Sequence, residues 1–424
     1  MAPALHRPGP PTTDAPLPDF VVDELPARQR QLRIALVTET YPPEVNGVSL
    51  SIAQVVEGLR ARGHALQLLR PRQTSGDLGG EADGLQQVLM RGMPIPRYPH
   101  LKLGLPARRA LLALWRRRRP DVLHIATEGP LGWSALQAAT ALRLPVTSDY
   151  RTNFHAYSRH YGVGWLQRPI LAYLRKFHNR TAATMVPTAA LAAELARQGL
   201  RNLHVVGRGV DTAQFCPTRR CEALRARWGV GRDTLVVAYV GRLAPEKNLA
   251  LLLRAWTALH ARCPDSRLLL VGDGPMRDEL LARHPEALHA GLHSGASLAA
   301  HYASADLFVF PSLTETYGNV TPEALASGLP VVAFDHAAAG LLVRHGENGL
   351  LAPPDAPERF VQLAVDAALD PALRRRLGLR ARESALPLGW DRIVEQVERT
   401  LEQAWRQAQQ PDPAALAAAL PLPG

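Results

Sequence analysis

With 424 residues the chain is too long for one ordinary core, and two domains are expected. Its hydrophobic (46%) and charged (21%) fractions are globular, and a net charge of +11 points to nucleic acid, an anionic membrane surface or a phosphate-bearing substrate. No zinc spacing, RNA-binding signature or clear helix-turn-helix accompanies that charge, which disfavours nucleic acid, and no run of about 18 apolar residues predicts a transmembrane helix.

The first 30 residues are rich in Pro and Ala, lack the apolar core of a signal peptide, and read as a disordered tail. From there strand-like and helix-like segments alternate. "LRIALVTE" (Leu32–Glu39) is an apolar run followed by the helical pattern "SLSIAQVVEGLRARGH". Further strands are expected at Asp121–Thr127, Leu144–Tyr150, Ala183–Thr188 and Leu203–Gly209. After a linker near Gly209–Pro217 the pattern restarts, with strands at Leu235–Gly241, Arg267–Gly274, Asp306–Ser312 and Leu329–Asp335. The helix Trp390–Gln407 closes the order, and "QPDPAALAAALPLPG" reads as a second tail. The alternation predicts an α/β fold, two doubly wound parallel sheets with a cleft between them, where ligands bind. Cys216, Cys221 and Cys263 show no metal-ligand spacing; sparse and odd in number, they fit a reducing cytosol.

Four strand-to-helix turns carry candidate chemistry. In "TETYPPEVNGVSLSI" Gly47 precedes a helix start, so its amide can approach a phosphate or sugar; a plain connection is the alternative. "VGRLAPEKN" sets Arg242 and Lys247 five positions apart, two cations that could neutralise a diphosphate leaving group, or a merely solvated basic turn. In "VGDGPMRDEL" Gly272 and Gly274 allow close backbone approach to a ligand. Arg277 stands where a dinucleotide fingerprint needs its third glycine, which disfavours an oxidoreductase.

The fourth turn is "LTETYGNVTPEALASGLPV" (Leu313–Val331). Glu315 and Glu323 stand eight positions apart, about 80° past a full number of turns, so they would not share one row of a helix. Glu315 belongs to the loop after a strand. Glu323 belongs to the first turn of a helix over Thr321–Gly328, with Thr321 as N-cap and Pro322 at the first position. Both acids then face the carboxyl edge of a sheet, with the amides of Tyr317, Gly318, Asn319 and Val320 pointing the same way. A role for Glu323 in complementing the helix dipole is the alternative.

The order "TETYPPEVNGVS", "GVDTAQF", "VGRLAPEKNL", "VGDGP", "FPSLTETYGNVTPEALASGLPVVA", "GENGLL" resembles glycosyltransferase family 4 over roughly Leu32–Gln407. Within it the similarity is greatest to bacterial GDP-mannose-dependent α-mannosyltransferases and related glycolipid transferases. The resemblance implies retaining, metal-independent enzymes of the GT-B fold, with a nucleotide sugar such as GDP-mannose or a UDP-sugar as donor and no cofactor. It implies that Arg242 and Lys247 hold the donor diphosphate, Glu323 the ribose hydroxyls, and Glu315 with the amides of Tyr317 to Val320 the donor sugar. Gly47 would approach the diphosphate from the other domain. Where many relatives carry a histidine in "YHTNF", this chain reads "SDYRTNFHAYSRHYG", so Arg151 or His155 is expected near the reacting sugar. His124 and Glu128 of "HIATEGPLG" are further candidates.

The expected plan is a tail (1–30), an acceptor-binding Rossmann-like domain (31–210), a donor-binding one (211–389), a helix crossing back to the first domain (390–408) and a tail (409–424). Two basic, aromatic-bearing segments, Leu105–Asp121 and Arg159–Arg180, suggest peripheral attachment to the anionic inner face of the cell membrane, near a lipid or sugar acceptor. A core-facing helix with a solvated basic face is the alternative for each. A UDP-sugar-dependent diacylglycerol glycosyltransferase or a GT-B epimerase are the rival functions.

Overall fold

The first apolar run forms strand β1 (Arg33–Val37), flanked in the sheet by two parallel neighbours. The computed structural model describes residues 31–44, 46–74, 76–95, 98–151 and 167–410. In chain order the next strands are β2 (Ala65–Pro71), β3 (Gly80–Ala82), β4 (Leu85–Met90), β5 (Gly92–Ile95), β6 (Tyr98–Gly104), β7 (Val122–Ile125), β8 (Val146–Asp149), β9 (Ala183–Val186) and β10 (Leu203–Val205). Among the described residues they make an eight-stranded sheet, β10-β9-β8-β7-β1-β2-β4-β3, and a separate β5-β6 ribbon. Only β3 pairs antiparallel in the larger sheet. The ribbon and β3 carry no strong alternation in sequence and were not expected.

The second sheet takes β11 (Val236–Val240), β12 (Arg267–Val271), β13 (Leu288–Gly291), β14 (Leu307–Phe310), β15 (Val331–Phe334) and β16 (Gly349–Ala352) in the order β13-β12-β11-β14-β15-β16, all parallel. Strands such as β11 and β14 are buried at every position because helices cover both faces, so they read as continuous apolar runs. The order in which the chain fills each sheet reverses between β1 and β7 and between β11 and β14, where the strands stay parallel. In open α/β sheets those reversals leave a crevice at the carboxyl ends of the strands.

The helix Trp390–Gln409 follows the second sheet but packs on the first. Ile393, Val394, Val397 and Leu401 share one apolar cluster with Ile52, Val55, Val56 and Leu59 of helix Gly47–Ala61. A Cβ at Gly58 would run into Val394, so glycine lets the two helices meet. Buried Glu398 accepts from His64 Nε2 and Arg62 Nη1, each at 2.9 Å. The helix runs into the first residue of the expected tail; residues 1–30 and 411–424 lie outside the described residues.

Two expectations need correction. The strand expected over Leu203–Gly209 ends at Val205, and Gly209 instead lies against Trp390, whose atoms a Cβ there would meet. The helix expected over Thr321–Gly328 spans Val320–Ala326, with Asn319 rather than Thr321 at the N-cap position. Gly318, at φ 90°, turns the chain one step earlier than the Thr-Pro pair suggested. Gly328 does stop the helix, at φ 76° and with Pro217 against it.

Helix Arg108–Arg117 turns its apolar residues to the core: Leu111 and Trp115 are fully buried, and Trp115 Nε1 donates to Gln67 Oε1 at 2.8 Å. Its arginines face solvent. In helix Gln167–His178 Leu174 and Phe177 are likewise buried. Tyr161 and Trp165 lie outside the described residues.

Candidate active site

At the carboxyl edge of the second sheet the chain leaves β11 as Gly241-Arg242, makes a single 3-10 turn (Pro245–Lys247), and enters helix Leu249–His260 through Asn248 in a left-handed conformation. The turn aims Lys247 at the loop after β14. Lys247 Nζ meets Glu315 Oε1 at 2.5 Å, and Ser312 Oγ donates to the same oxygen at 2.7 Å. Burial alone would raise the Glu315 carboxyl, but the Lys247 ammonium outweighs it and lowers it. Glu315 is therefore ionised and paired, a charged acceptor beside a charged donor. Arg242, 39% exposed, lies 3.6 Å from buried Glu246, whose carbonyl oxygen accepts from Thr314 Oγ1.

Glu323 sits in the first turn of the following helix, and Tyr302 donates its hydroxyl to Glu323 Oε2 at 3.0 Å. Burial pushes the Glu323 carboxyl up to about 7, against the lowering effect of that hydroxyl. The two acids of the motif thus differ: one held ionised by a cation, the other poised near neutrality. Between them Tyr317 is buried, with its hydroxyl on the Arg208 carbonyl at 3.2 Å, while Val320 begins the helix.

Gly272 and Gly274 serve a neighbour nearer than a ligand. A Cβ at Gly272 would strike the Gly241 carbonyl, and one at Gly274 the Leu243 carbonyl. Leu243 N donates to Asp273 O at 2.9 Å, so the loops after β11 and β12 interlock. The glycines permit close approach, as expected, but the approaching backbone belongs to the Arg242 turn, which they hold in place.

In the first sheet Arg151 does not stand as an open cation. It is 7% exposed and its Nη2 lies 2.5 Å from Asp149 Oδ2. Asp149, the last residue of β8, also takes Arg208 Nη2 at 3.0 Å and lies 3.5 Å from His124 Nε2. Burial works to raise the Asp149 carboxyl, yet Arg151 and Arg208 hold it well below the usual carboxylate range. Burial and the Arg208 charge bring Arg151 down to about 10, so it stays charged at neutral pH. Glu128 faces His178 Nε2 at 3.3 Å, both buried. His155 lies outside the described residues. Asp149 and Arg208 were not anticipated: their pairing joins residues 59 apart, and "VGRGVD" has no feature that marks its arginine.

Helix Gly47–Ala61 starts at Asn46, whose Oδ1 accepts from Val48 N and Ser49 N. Gly47 faces Asn319 of the second sheet's loop rather than open space. Glu39, after β1, was also missed. It caps helix Pro130–Ala141 through Leu131 N at 3.0 Å, accepts from Gly104 N, and is pushed by burial up to about 7. Its signal was of the kind that marked Glu315, an acid in the loop after an apolar strand. Among the described residues no three His, Cys, Asp or Glu side chains gather where they could hold a metal ion.

Comparison with known proteins shows the family. A family model described as "Glycosyltransferase Family 4" matches residues 45–214, and one described as "Glycosyl transferases group 1" matches residues 234–370. The chain is 36% identical over 369 residues to a GDP-mannose-dependent alpha-mannosyltransferase of Mycolicibacterium smegmatis, covering 86% of this chain and 96% of that one. It is 31% identical to the sulfoquinovosyl transferase SQD2 of Arabidopsis thaliana, covering 84% and 71%. Among solved structures, a sucrose-phosphate synthase from Thermosynechococcus elongatus superposes with a TM-score of 0.72 at 20% identity, over 89% of this chain and 100% of that one. Anabaena HepE in complex with UDP-glucose gives 0.69 at 19% identity, over 88% and 100%. These two likenesses establish the shared fold.

Proposed function

The chain belongs to glycosyltransferase family 4 and is a hexosyltransferase of the GT-B fold; from that premise we propose that it moves mannose from GDP-mannose to a hydroxyl of a lipid or glycolipid, with retention of configuration. The observation that carries the site is the meeting of Lys247 and Glu315, 68 positions apart, at the carboxyl edge of the second sheet. Support for the donor comes from the relatives named for GDP-mannose, which the chain matches over nearly their whole length.

In this reading Lys247 and Arg242 face the donor diphosphate. Their fixed charge favours the transition state, in which the bond from the sugar carbon to the phosphate oxygen breaks and negative charge builds on the leaving group. Glu315 accepts hydrogen bonds of the stronger charge-assisted kind from the sugar hydroxyls, and Glu323 accepts them from the ribose once it ionises. The amides of the turn from Tyr317 to Val320 complete the sugar's seat, and Gly47 borders the diphosphate from the first domain. The acceptor oxygen forms the new bond on the face the leaving group vacates, and the departing diphosphate takes its proton. Orientation and electrostatics then supply most of the rate, with no protein nucleophile and no resident metal. Arg151 is buried and paired with Asp149 at the end of β8.

A basic surface supports a membrane acceptor. Helices Arg108–Arg117, Pro130–Ala141 and Gln167–His178 contain no Asp or Glu. They lie side by side on one face of the first sheet, with Trp133 5.6 Å from Tyr173 and 6.1 Å from Phe177. Arg108, Arg109, Arg116, Arg117, Arg168, Arg175 and Lys176 are exposed there. No helix among the described residues is long and apolar enough to cross a membrane. We therefore place the enzyme on the anionic inner face of the membrane, held by charge.

A second reading, transfer of glucose or sulfoquinovose from a UDP-sugar to diacylglycerol, draws on the likeness to SQD2 and to alpha-monoglucosyldiacylglycerol synthases. Labelled GDP-mannose and UDP-glucose, each incubated with the protein and a bacterial lipid extract, separate the two. Label entering the organic phase from GDP-mannose alone is expected; label from UDP-glucose alone would replace the first reading by the second.

A further inference from the structure

Asn319 stands at the N-cap position of helix Val320–Ala326, where asparagine normally turns its oxygen onto the helix's own amides, yet it makes no capping bond. Its side chain turns outward. Nδ2 donates to the Gly47 carbonyl at 3.1 Å and to Ser51 Oγ at 3.1 Å. Ser51 Oγ in turn donates to the same Gly47 carbonyl at 2.6 Å, which closes a ring of three hydrogen bonds between the donor loop and the first helix of the other sheet. The ring is built for its place. Ser51 is 2% exposed, and a Cβ at Gly47 would lie only 3.3 Å from Asn319 Nδ2. Two residues earlier Tyr317 reaches the other way, to the Arg208 carbonyl, whose side chain is tied to Asp149 of β8. Gly318 lets consecutive side chains diverge in this manner, at φ 90° and packed over Glu315 with a Cβ position 3.2 Å from Glu315 Cγ.

We infer that Asn319 is a positioning residue for transfer: through Gly47 and Ser51 it holds the acceptor-side edge against the loop that carries Glu315. The turn thus has two jobs. Its backbone and Glu315 serve the donor, while Asn319 draws the first helix over it. The inference rests on the glycosyl-transfer reading for its kinetic assay and not for its structural one.

The test uses the full chain, with Asn319→Asp, Asn319→Ala, Ser51→Ala and the double variant Asn319→Ala/Ser51→Ala. Aspartate keeps the shape and removes both donors, and alanine controls for its charge. Loss of two neutral hydrogen bonds is expected to lower kcat about ten- to thirtyfold in both Asn319 variants, with the Kd for GDP, read by calorimetry, within about twofold of wild type. The double variant should fall no further than Asn319→Ala, because both changes break one ring. Small-angle scattering with GDP present should give both Asn319 variants a larger radius of gyration than wild type. GDP affinity falling in step with kcat would make Asn319 a donor ligand and overturn the inference, as would independent, multiplying effects of the two sites. If the wild type transfers no sugar from any donor, the transfer reading fails, and scattering alone decides the tie: equal radii would overturn it.

Discussion

Glu315 and Glu323 show how far a local motif can be read. Their separation into a loop acid and a helix acid follows from eight positions and a Thr-Pro pair, and the structure keeps that separation while moving the helix start to Val320. What neighbours do to each acid is not local. Lys247 lies 68 positions from Glu315 and Tyr302 lies 21 from Glu323, and no spacing in either stretch announces them. The consequence for Glu323 is testable. Its folded pKa near 7 lies above the ordinary 4.5, so between about pH 4.5 and 7 the folded chain keeps a proton that the unfolded chain releases. This site therefore lowers stability as pH rises through that window, and the loss is complete above about 7. Glu323→Gln should flatten that part of a denaturation-versus-pH curve; an unchanged slope would remove Glu323 as its source. Ribose hydroxyls favour the ionised carboxylate, so GDP binding near pH 7 should release a proton, visible as a buffer-dependent heat that Glu323→Gln lacks.

At the scale of elements, the sequence reveals those with a strong period or a fully apolar run. Strands β1, β7 to β12, β14 and β15 and the last helix were legible because burial on both faces, or one broad stripe, writes itself into composition. Strands β2 to β6, β13 and β16 were not expected; β3 and the β5-β6 ribbon carry no strong alternation. The basic helix Arg108–Arg117 was legible as amphipathic but not in orientation: Leu111 and Trp115 suit a lipid surface or a core equally until Gln67 is seen under the indole. The last helix offers the sharpest prediction here. Gly58 admits Val394, and Glu398 satisfies His64 and Arg62 in a buried site. Gly58→Ala forces overpacking at a cost of about 1–3 kcal/mol, and Glu398→Ala leaves buried donors unmade at a similar cost. Urea denaturation should show both losses. A value within about 0.5 kcal/mol of wild type for both would mean that the helix is not held at this seam.

For the molecule as a whole, charge gathers where composition alone could not place it. The excess of +11 becomes specific only when three helices without an acid are found adjacent on one face. Leu111, Trp115, Leu174 and Phe177 of these helices are buried in the core, so attachment to a bilayer should be electrostatic and reversible rather than insertional. Binding to vesicles containing about 30% anionic lipid should vanish near 0.5 M salt, where screening falls below about 5 Å. Arg116→Gln/Arg117→Gln/Arg175→Gln should weaken it without changing stability, and salt-resistant binding would point to insertion instead. The proposed reaction is simpler: we propose that Glu315 and Lys247 hold a nucleotide sugar whose hexose is passed on. Transfer of label from GDP-mannose to lipid by wild type and by Glu315→Gln tests it most directly. Loss of one charged partner in a preorganised site should cost at least about a hundredfold in kcat with the fold intact by circular dichroism. A folded Glu315→Gln that transfers label at the wild-type rate would contradict the assignment.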